Sequence, residues 1–419
     1  MLHPRVIRKR VIVLIDAYRS GSFLSAAFLS YGYNCVHVQT LDRPIGNGSH
    51  GGPYIQEVRH RDVESTVAAL AGFDVDAVVP GHEVGVELAD VLNECLRTPY
   101  QNGTALSAAR RDKARMRAHA LASGIACPRF DTFTSAINAR NFAASIGSPV
   151  VVKPTRSSFG QGVRLCDTPD KVYRHVAALL QGASVGGDPI TAVVVEEQMR
   201  GDLYMVNTVS VQGVHHVTDL WSTRKCLTEQ GAFIFEYSEL VGPGKAATAA
   251  TVFTSGLLTK FGISHGPAHT EVYIQEDGVP ALVEIGARIQ GNMDPSMTLP
   301  ALGTNQIVAT VQAYLGAFHA LRCSSEGVPL LNSHCRSADL ISTCSGVLVD
   351  DLDLSPIRRL ASFWSARIDV QKGSRLDPTS DLLNVPGSVV LVHSDPRVIA
   401  EDYESLRNWE SEEFGAKLR

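Results

Sequence analysis

The segment AHTEVYIQEDGVPALVEIGAR, residues 268–288, predicts a β-hairpin. Asp277-Gly278 is a strong signal for a two-residue turn, which would pair Glu276 with Val279. In that register the apolar side chains share one face, and the other face carries Glu271 directly opposite Glu284. The apolar set is Val272, Ile274, Ala281, Val283 and Ile285. A three-residue turn would shift the pairing by one residue and spoil the apolar face.

The two opposed glutamates predict a metal site. Two carboxylates directly opposite each other repel and destabilise a hairpin. A divalent cation between them reverses the sign, and oxygen ligands on a rigid support suit Mg²⁺, with phosphates completing its shell. Gly286 and Arg288 continue along the same face, and a guanidinium can hold phosphoryl oxygens beside a metal. The spacing alone leaves open the alternative that both glutamates face water.

A second segment, VVKPTRSSFGQGVRL (151–165), has the composition of an anion-binding loop between two strands. It matches neither the GxxxxGK[ST] spacing of a P-loop nor the GxGxxG of a dinucleotide fold. Lys153 ends an apolar strand, and a lysine ammonium acts on phosphate as a point charge. The loop has little side-chain bulk at Ser157, Ser158, Gly160 and Gly162, so its N–H groups can approach an anion. Taken alone, such a loop is more often a structural turn.

Three further groups of residues are candidates for the same site. Lys113 lies in a basic run whose other members, Arg110, Arg111, Arg115 and Arg117, we mostly expect on a solvated helix face. The segment Glu196, Glu197, Gln198 and Met199 ends a β-branched strand and can form a hinge whose backbone faces an adenine edge. His269 shares the face of Glu271, either as a hydrogen-bonded structural histidine or as a substrate contact.

Composition excludes several classes of protein. The 419 residues are 44% hydrophobic and 19% charged, with a net charge of −5, which is typical of a folded protein with a large core and not of a nucleic-acid binder. The 8 cysteines are scattered without metal-ligand spacing, which favours reduced thiols and a cytoplasmic location. The N-terminal apolar run VIVLI (11–15) is too short for a signal sequence or a membrane span.

Strand and helix signals alternate over the first hundred residues. Strands are expected at 11–15, 34–38 and 76–80 and helices at 20–32, 62–71 and 83–97, with a Gly/Pro-rich loop at 42–53. Such alternation predicts a doubly wound parallel sheet. Beyond Pro128 the pattern changes to that of α+β units, so the fold class is α/β.

Taken in order, these motifs resemble the ATP-grasp superfamily over most of the chain. The matching segments are RRDKARM (110–116), VVKPTRSSFGQGV (151–163), VVVEEQMRG (193–201), HTEV (269–272) and VEIGARIQGN (283–292). The segments VVPGHEVGVELADVL (78–92), GVHHVTDLWSTRK (213–225) and GPAHTEV (266–272) are similar to the branch of L-amino acid ligases, the dipeptide synthetases of the bacilysin and dapdiamide type.

The resemblance implies a domain organisation. Two α+β lobes would sandwich ATP behind the doubly wound N-terminal domain. The expected units are an N-terminal domain at 1–105, a small lobe with the glycine-rich flap at 106–200, a large lobe with the metal site at 201–320, and a C-terminal α+β elaboration at 321–419. A homodimer is expected from the family alone.

The resemblance also implies roles for the candidate residues. Lys113 and Lys153 would bind the ATP phosphates, and the loop with Ser157, Ser158, Gly160 and Gly162 would close over them. Glu196 to Met199 would border adenine. Glu271 and Glu284 would ligate Mg²⁺, or Mn²⁺ in its place, and Arg288 would stabilise the reacting groups together with Lys153. The substrate pocket would be lined by His269, Arg288, Gly291 and Asn292.

Three positions depart from the family pattern. The ribose-binding glutamate of a GxEY motif is replaced by Leu203 in GDLY, and Asp202 is the candidate substitute. The superfamily's frequent asparagine two residues after the second metal carboxylate is Gly286, as in the amino acid ligase branch. The ending of WSTRK also differs from the branch's aromatic-before-lysine pattern.

The implied activity is ATP-dependent joining of two L-amino acids through an acyl phosphate, giving a dipeptide, ADP and phosphate, as in antibiotic biosynthesis. The alternatives are an ATP-grasp carboxylase, a purine-pathway ligase or a ligase acting on a longer peptide. A non-catalytic ATP-binding regulator is disfavoured, because binding alone does not require Arg288. Small amino acids are the expected partners, with neither nucleic acid nor membrane.

Overall fold

The computed structural model describes residues 9–42, 45, 52–147, 149–228, 231–291 and 294–419. A parallel sheet of order β3-β2-β1-β4 comes first. Its strands are β1 (Lys9–Ile15), β2 (Asn34–Gln39), β3 (Tyr54–Arg59) and β4 (Phe73–Pro80), and its helices are α1 (Phe23–Ser30), α2 (Val63–Leu70) and α3 (Val86–Leu96). Ile12 and Leu14 enter the core on one face, and Val13 and Ile15 enter the core on the other. A sheet covered on both faces confirms the doubly wound prediction.

The strand β3 was not predicted, because its sequence YIQEVR is largely exposed and lacks the apolar run of a buried strand. Most of the predicted loop at 42–53 lies outside the described residues.

A small antiparallel sheet of order β5-β8-β6-β7 follows. Its elements are α4 (Lys113–Ala122), β5 (Phe130–Phe133), α5 (Ala136–Ile146), β6 (Val150–Pro154), β7 (Arg164–Cys166), α6 (Pro169–Leu179) and β8 (Val193–Glu197). Ala139 and Ala143 of α5 and Val172 and Val176 of α6 pack on the sheet in one core. The loop 155–163 leaves this sheet between β6 and β7, so it connects two strands and not a strand and a helix.

The remaining strands build one large antiparallel sheet and a short two-stranded pair. The elements are β9 (Asp202–Val211), β10 (Val214–Leu227), β11 (Phe233–Leu240), α7 (Lys245–Lys260), β12 (Gly266–Ile274), β13 (Pro280–Gly286), α8 (Leu299–Leu302), α9 (Gln306–Tyr314), β14 (His334–Asp339), β15 (Gly346–Val347), β16 (Phe363–Ile368), β17 (Arg375–Leu376), β18 (Gly387–His393) and α10 (Pro396–Lys417). The order in the large sheet is β13-β12-β9-β10-β11-β14-β18-β16, and β15 pairs with β17.

The large sheet crosses the expected boundary at 320, because β14, β16 and β18 extend it beyond β11. The division into four domains stays a prediction. No helix among the described residues is long and apolar enough to cross a membrane.

The hairpin of β12 and β13 differs from its prediction at the turn. The N–H of Gly278 donates to Gln275 O at 2.8 Å, and the N–H of Gln275 donates to Val279 O at 3.1 Å. The turn therefore has three residues, and the predicted pairing of Glu276 with Val279 is wrong. A bulge between Glu271 and Val272 corrects the shift, so that Glu271 still pairs with Glu284.

The bulge also changes which side chains are buried. Leu282 pairs with Val272 and is fully buried, whereas Val283 lines the cavity described below. The predicted place of Val283 on the apolar face is therefore wrong. The extra residue keeps both the apolar core and the opposed carboxylates, which a plain three-residue turn could not do.

The basic run around Lys113 is mostly buried, contrary to the solvated face we expected. Arg110 and Arg117 are 1% and 0% exposed. Arg110 pairs with Asp90 at 2.9 Å, and Arg117 pairs with Glu196 at 3.0 Å. The helical pattern did not reveal these partners, because both lie far away in sequence.

Candidate active site

The candidate site is a cavity between the small sheet and the large sheet. Most of the predicted site residues line it: Lys113, Lys153, Ser157, Ser158, Gly160, Glu196, Glu197, Gln198, Met199, His269, Glu271, Glu284, Arg288 and Gly291. Gly162 and Asp202 do not, and Asn292 lies outside the described residues. Gly162 instead packs close to Leu179 and Pro154, which a Cβ at that position would meet at 2.7 and 3.2 Å.

Glu271 and Glu284 stand side by side on the floor of the cavity. Lys113 reaches across from α4, with its Nζ 3.0 Å from Glu284 Oε1. Burial opposes ionisation of Glu271, but the positive charge of Lys225, together with the neighbouring His269, outweighs it and holds the pKa of Glu271 at about 2. Burial likewise opposes ionisation of Glu284, and Lys113 lowers its pKa. Both groups are therefore carboxylates at neutral pH.

This pair suits a hard divalent cation that also binds phosphate. Within the described residues, no cluster of three or more His, Cys, Asp or Glu side chains forms a closed metal cage. Two adjacent carboxylates in a cavity lined with lysines fit Mg²⁺, which binds proteins through one or two carboxylates and takes substrate phosphates and water as its other ligands.

Lys153 is held by a second, fully buried cluster of charges. Its Nζ lies 2.5 Å from Glu196 Oε1, and Arg117 binds the same carboxylate. Burial lowers the pKa of Lys153 to about 8, against the opposing charge of Glu196. Because the Glu196 side chain is occupied in this way, an adenine at the hinge would be met by the backbone of 197–199.

Arg288 is fixed by a residue that the sequence did not single out. Its Nε donates to Glu83 Oε2 at 2.6 Å, and the Glu83 side chain is only 2% exposed. A Cβ on Gly286 would lie 2.9 Å from the same oxygen. Glu83 thus occupies the space beside Gly286, which gives a physical reason for glycine at this position. Glu83 is visible in the segment PGHEVG (80–85), but no neighbouring residue in the sequence indicated that it would pair with Arg288.

Lys225 is the second residue that sequence reasoning missed. It lines the cavity, and its Nζ lies 4.3 Å from the centroid of the Phe235 ring. Burial lowers its pKa, while Glu271 and Glu284 oppose that shift. The one indication in the sequence was that Lys225 ends the segment WSTRK, which we cited only for its similarity to the L-amino acid ligase branch.

His269 belongs to a buried hydrogen-bond chain. Its Nδ1 lies 2.8 Å from Asn207 Oδ1, and Asn207 Nδ2 donates to Asp219 Oδ1 at 2.5 Å. The Asn207 oxygen is therefore an acceptor, so Nδ1 of His269 donates to it, and Nε2 of His269 lies 3.8 Å from Glu271 Oε1. Trp221 donates to the same Asp219 oxygen and forms part of the cavity wall.

The flap between β6 and β7 is anchored on Lys113. Lys113 Nζ donates to Ser157 O at 3.3 Å, and the backbone N–H of Lys113 donates to Thr155 O at 2.8 Å. Ser157 is buried, whereas Ser158 and Gly160 are partly or fully open. The start of the flap is thus hydrogen-bonded to Lys113, the first residue of α4.

Comparison with known proteins identifies several that are similar to this chain. Residues 111–224 match the family model of the phosphoribosylglycinamide synthetase ATP-grasp (A) domain. Dapdiamide A synthase of Enterobacter agglomerans is 28% identical over 417 residues, which cover 96% of each chain. The crystal structure of an L-amino acid ligase from Bacillus licheniformis gives a TM-score of 0.77 at 20% identity, covering 96% of this chain and 97% of that one.

A second type of neighbour shares the fold at a greater distance. The N5-carboxyaminoimidazole ribonucleotide synthetase of Thermotoga maritima gives a TM-score of 0.68 at 13% identity, covering 96% of this chain and 98% of that one. The fold is therefore that of ATP-grasp proteins, and residues 111–224 match an ATP-grasp domain. Within that superfamily, the resemblance to the L-amino acid ligase branch is confirmed, and the comparisons support an ATP-dependent ligase.

Proposed function

We propose that this protein joins two L-amino acids, or amino-acid-like substrates, at the expense of ATP, and forms a dipeptide, ADP and phosphate. The observation that carries the proposal is the cavity itself, where Arg288 and the Glu271–Glu284 pair lie together with Lys113 and Lys153. Simple nucleotide binding does not need a fixed arginine beside two carboxylates. The name of the relative, dapdiamide A synthase, adds support and suggests a role in antibiotic biosynthesis.

In the proposed site, Lys113 and Lys153 bind ATP phosphates, and the flap with Ser157, Ser158 and Gly160 covers them. Glu271 and Glu284 would hold Mg²⁺, or Mn²⁺, which when bound neutralises phosphate charge and orients the transferred group. The backbone from Glu197 to Met199 would face adenine. Asp202 lies at the start of β9, away from the cavity lining, so its proposed ribose contact has no geometric support.

The first chemical step is attack of a substrate carboxylate oxygen on the γ-phosphorus. The bond to the β–γ bridging oxygen breaks, ADP leaves and an acyl phosphate results. Lys113 and Lys153 stabilise the negative charge that moves to the leaving group. Because little covalent chemistry falls to the protein, positioning and electrostatics supply the acceleration.

In the second step the amine nitrogen of the other substrate attacks the acyl carbon. The carbon–oxygen bond to phosphate breaks, phosphate leaves and the nitrogen loses a proton. Arg288, which Glu83 holds, stabilises the oxyanion of the tetrahedral state in this proposal. His269 and Gly291 line the same region and are the proposed substrate contacts, and Asn292 stays a sequence-based proposal.

Amino-acid-dependent phosphate release tests the proposed function. Pairs of L-amino acids are screened with Mg²⁺ and ATP, and the coupled product is detected by mass. We expect phosphate and a dipeptide together for at least one pair. Bicarbonate is the control substrate, since carboxylating neighbours share the fold. If phosphate is released with bicarbonate but with none of the amino acid pairs, the dipeptide proposal is wrong and a carboxylase is favoured.

The cytoplasmic location and the homodimer stay predictions. Size-exclusion chromatography with light scattering measures the second of these directly.

A further inference from the structure

Phe159 lies at the tip of the flap in a backbone conformation that is unusual for its type. Its φ is +59°, in the left-handed region that glycine adopts without strain. The neighbouring residue Gly160 also has a positive φ, of +74°. A glycine at 159 would therefore suit the backbone better than phenylalanine does. A bulky side chain kept in a strained conformation at a candidate functional site points to a role for the ring.

The Phe159 ring contacts residues from separate parts of the chain. The His82 ring lies 5.4 Å from it between centroids, and the Arg19 guanidinium carbon lies 4.9 Å from its centroid. Gly291 passes beneath, where an added Cβ would lie 3.4 Å from Phe159 Cε1. The backbone is held as well, since the Leu382 N–H donates to Phe159 O at 3.3 Å.

These contacts connect the flap to three other regions of the chain that surround the cavity. Arg19 and His82 belong to the parallel-sheet region, Gly291 follows Arg288, and Leu382 lies in the C-terminal region. His82 directly precedes Glu83, the partner of Arg288. Phe159, Gly291 and Leu382 all line the cavity that contains Arg288 and Glu284. One side chain in the wall of this cavity thus joins the flap to three other parts of the chain.

An acyl phosphate can follow two routes. An amine takes the acyl group and releases phosphate and a proton, whereas water takes it and returns the original carboxylate with phosphate. Both routes consume one ATP and release one phosphate. The ratio of phosphate to amide therefore measures how well water is kept out.

We propose that Phe159 is the latch that holds the flap closed and excludes water from the acyl phosphate, so that the amine and not water receives the acyl group. This assignment rests on the proposed ligase function. In this role Phe159 is a positioning residue for the closed flap, and it leaves the charges that bind ATP unchanged.

The first test compares Phe159→Ala and Phe159→Gly with wild type, using ATP, Mg²⁺ and a productive amino acid pair. We expect the ratio of phosphate to amide to rise from near one in wild type to at least about three in both variants, while ATP consumption persists. The glycine variant separates the ring from the backbone, because it relieves the positive φ yet removes the side chain. Phe159→Tyr should restore a ratio near one.

Tyr173→Ala is the matched control, since it truncates an exposed aromatic side chain on α6 of the same sheet unit. Its ratio should equal that of wild type. An unchanged ratio in both the alanine and glycine variants overturns the latch assignment, even if their overall rates fall.

A second measurement does not depend on the identity of the substrates. Hydrogen exchange of the segment 155–165 is followed with and without Mg²⁺ and a non-hydrolysable ATP analogue. We expect nucleotide to protect this segment at least about tenfold in wild type and Tyr173→Ala, and little in Phe159→Ala. Equal protection in Phe159→Ala overturns the latch. A wild type that forms no amide with any pair overturns the ligase proposal instead, whatever the exchange shows.

Discussion

Two β-hairpins border the candidate site, and they contribute to it in opposite ways. In the β12–β13 hairpin, Glu271 and Glu284 lie within the hydrogen-bonded ladder, which fixes their positions. In the β6–β7 hairpin the ladder pairs Val150 to Val152 with Cys166 to Arg164, and the residues that would cover phosphate lie outside it. The first hairpin therefore holds two charges at a constant separation, and the second carries the loop that we propose to close over phosphate.

The strongest test of the rigid hairpin is removal of its charges. Glu284→Gln or Arg288→Ala should each lower product formation by about 10³-fold or more, because each removes charge stabilisation from phosphoryl transfer. Product is measured by mass and the fold by circular dichroism. Glu276→Gln, in the exposed turn of the same hairpin, is the control and should keep wild-type turnover. Near-normal turnover in both site variants would refute the assignment.

A smaller effect is expected when Arg288 is kept but its support is removed. Glu83→Gln weakens the pair that holds the guanidinium, and a misplaced catalytic group can cost about 10²-fold in rate. We expect kcat to fall more than the affinity for ATP. Glu87→Gln is the control, since Glu87 pairs with Arg156, which is half exposed, and such pairs contribute little. Equal kcat values in the two variants would contradict a positioning role for Glu83.

The flap hairpin predicts a pH dependence. Burial lowers the pKa of Lys153 to about 8, so its ammonium is present below that pH and is lost as the pH rises through it. Affinity for the Mg²⁺ complex of a non-hydrolysable ATP analogue should then fall by up to about tenfold per pH unit above 8. Calorimetric titration from pH 6.5 to 9.5 measures this. In Lys153→Arg the break near pH 8 should disappear, because arginine stays charged; a break that persists would assign it to another group.

The smallest expected effect concerns the turn of the rigid hairpin. Gly278 has a φ of +82° and open space around its Cα. Gly278→Ala should therefore destabilise the protein by about 1 kcal/mol through backbone strain alone, with unchanged product formation. Gly256→Ala, inside α7 with similar open space, should instead stabilise by up to about 1 kcal/mol. Urea denaturation compares the two, and a stable Gly278→Ala variant would show that the three-residue turn tolerates other conformations.

The sequence predicted the residues of this site better than the side chains that pack around them. Residues on one strand pair were within reach of prediction, because alternation and a turn signal restrict the register to a few possibilities. The opposed glutamates were found in this way, although through a compensating bulge and not through the predicted turn. The burial of Arg110 and Arg117 was not predictable, since a helical pattern of cations indicates solvent unless their acidic partners are known.

The amino acid sequence by itself determined the parallel sheet of the N-terminal region, the strand–loop–strand form of the flap and the adjacency of Glu271 and Glu284. Each depends on periodicity or on residues close together in the chain. Tertiary structure alone decided that Glu83 holds Arg288, that Glu196 binds Lys153, and that Phe159 meets His82, Arg19 and Gly291. These contacts join distant segments, and only the packing of the sheets against one another brings their charges and rings together.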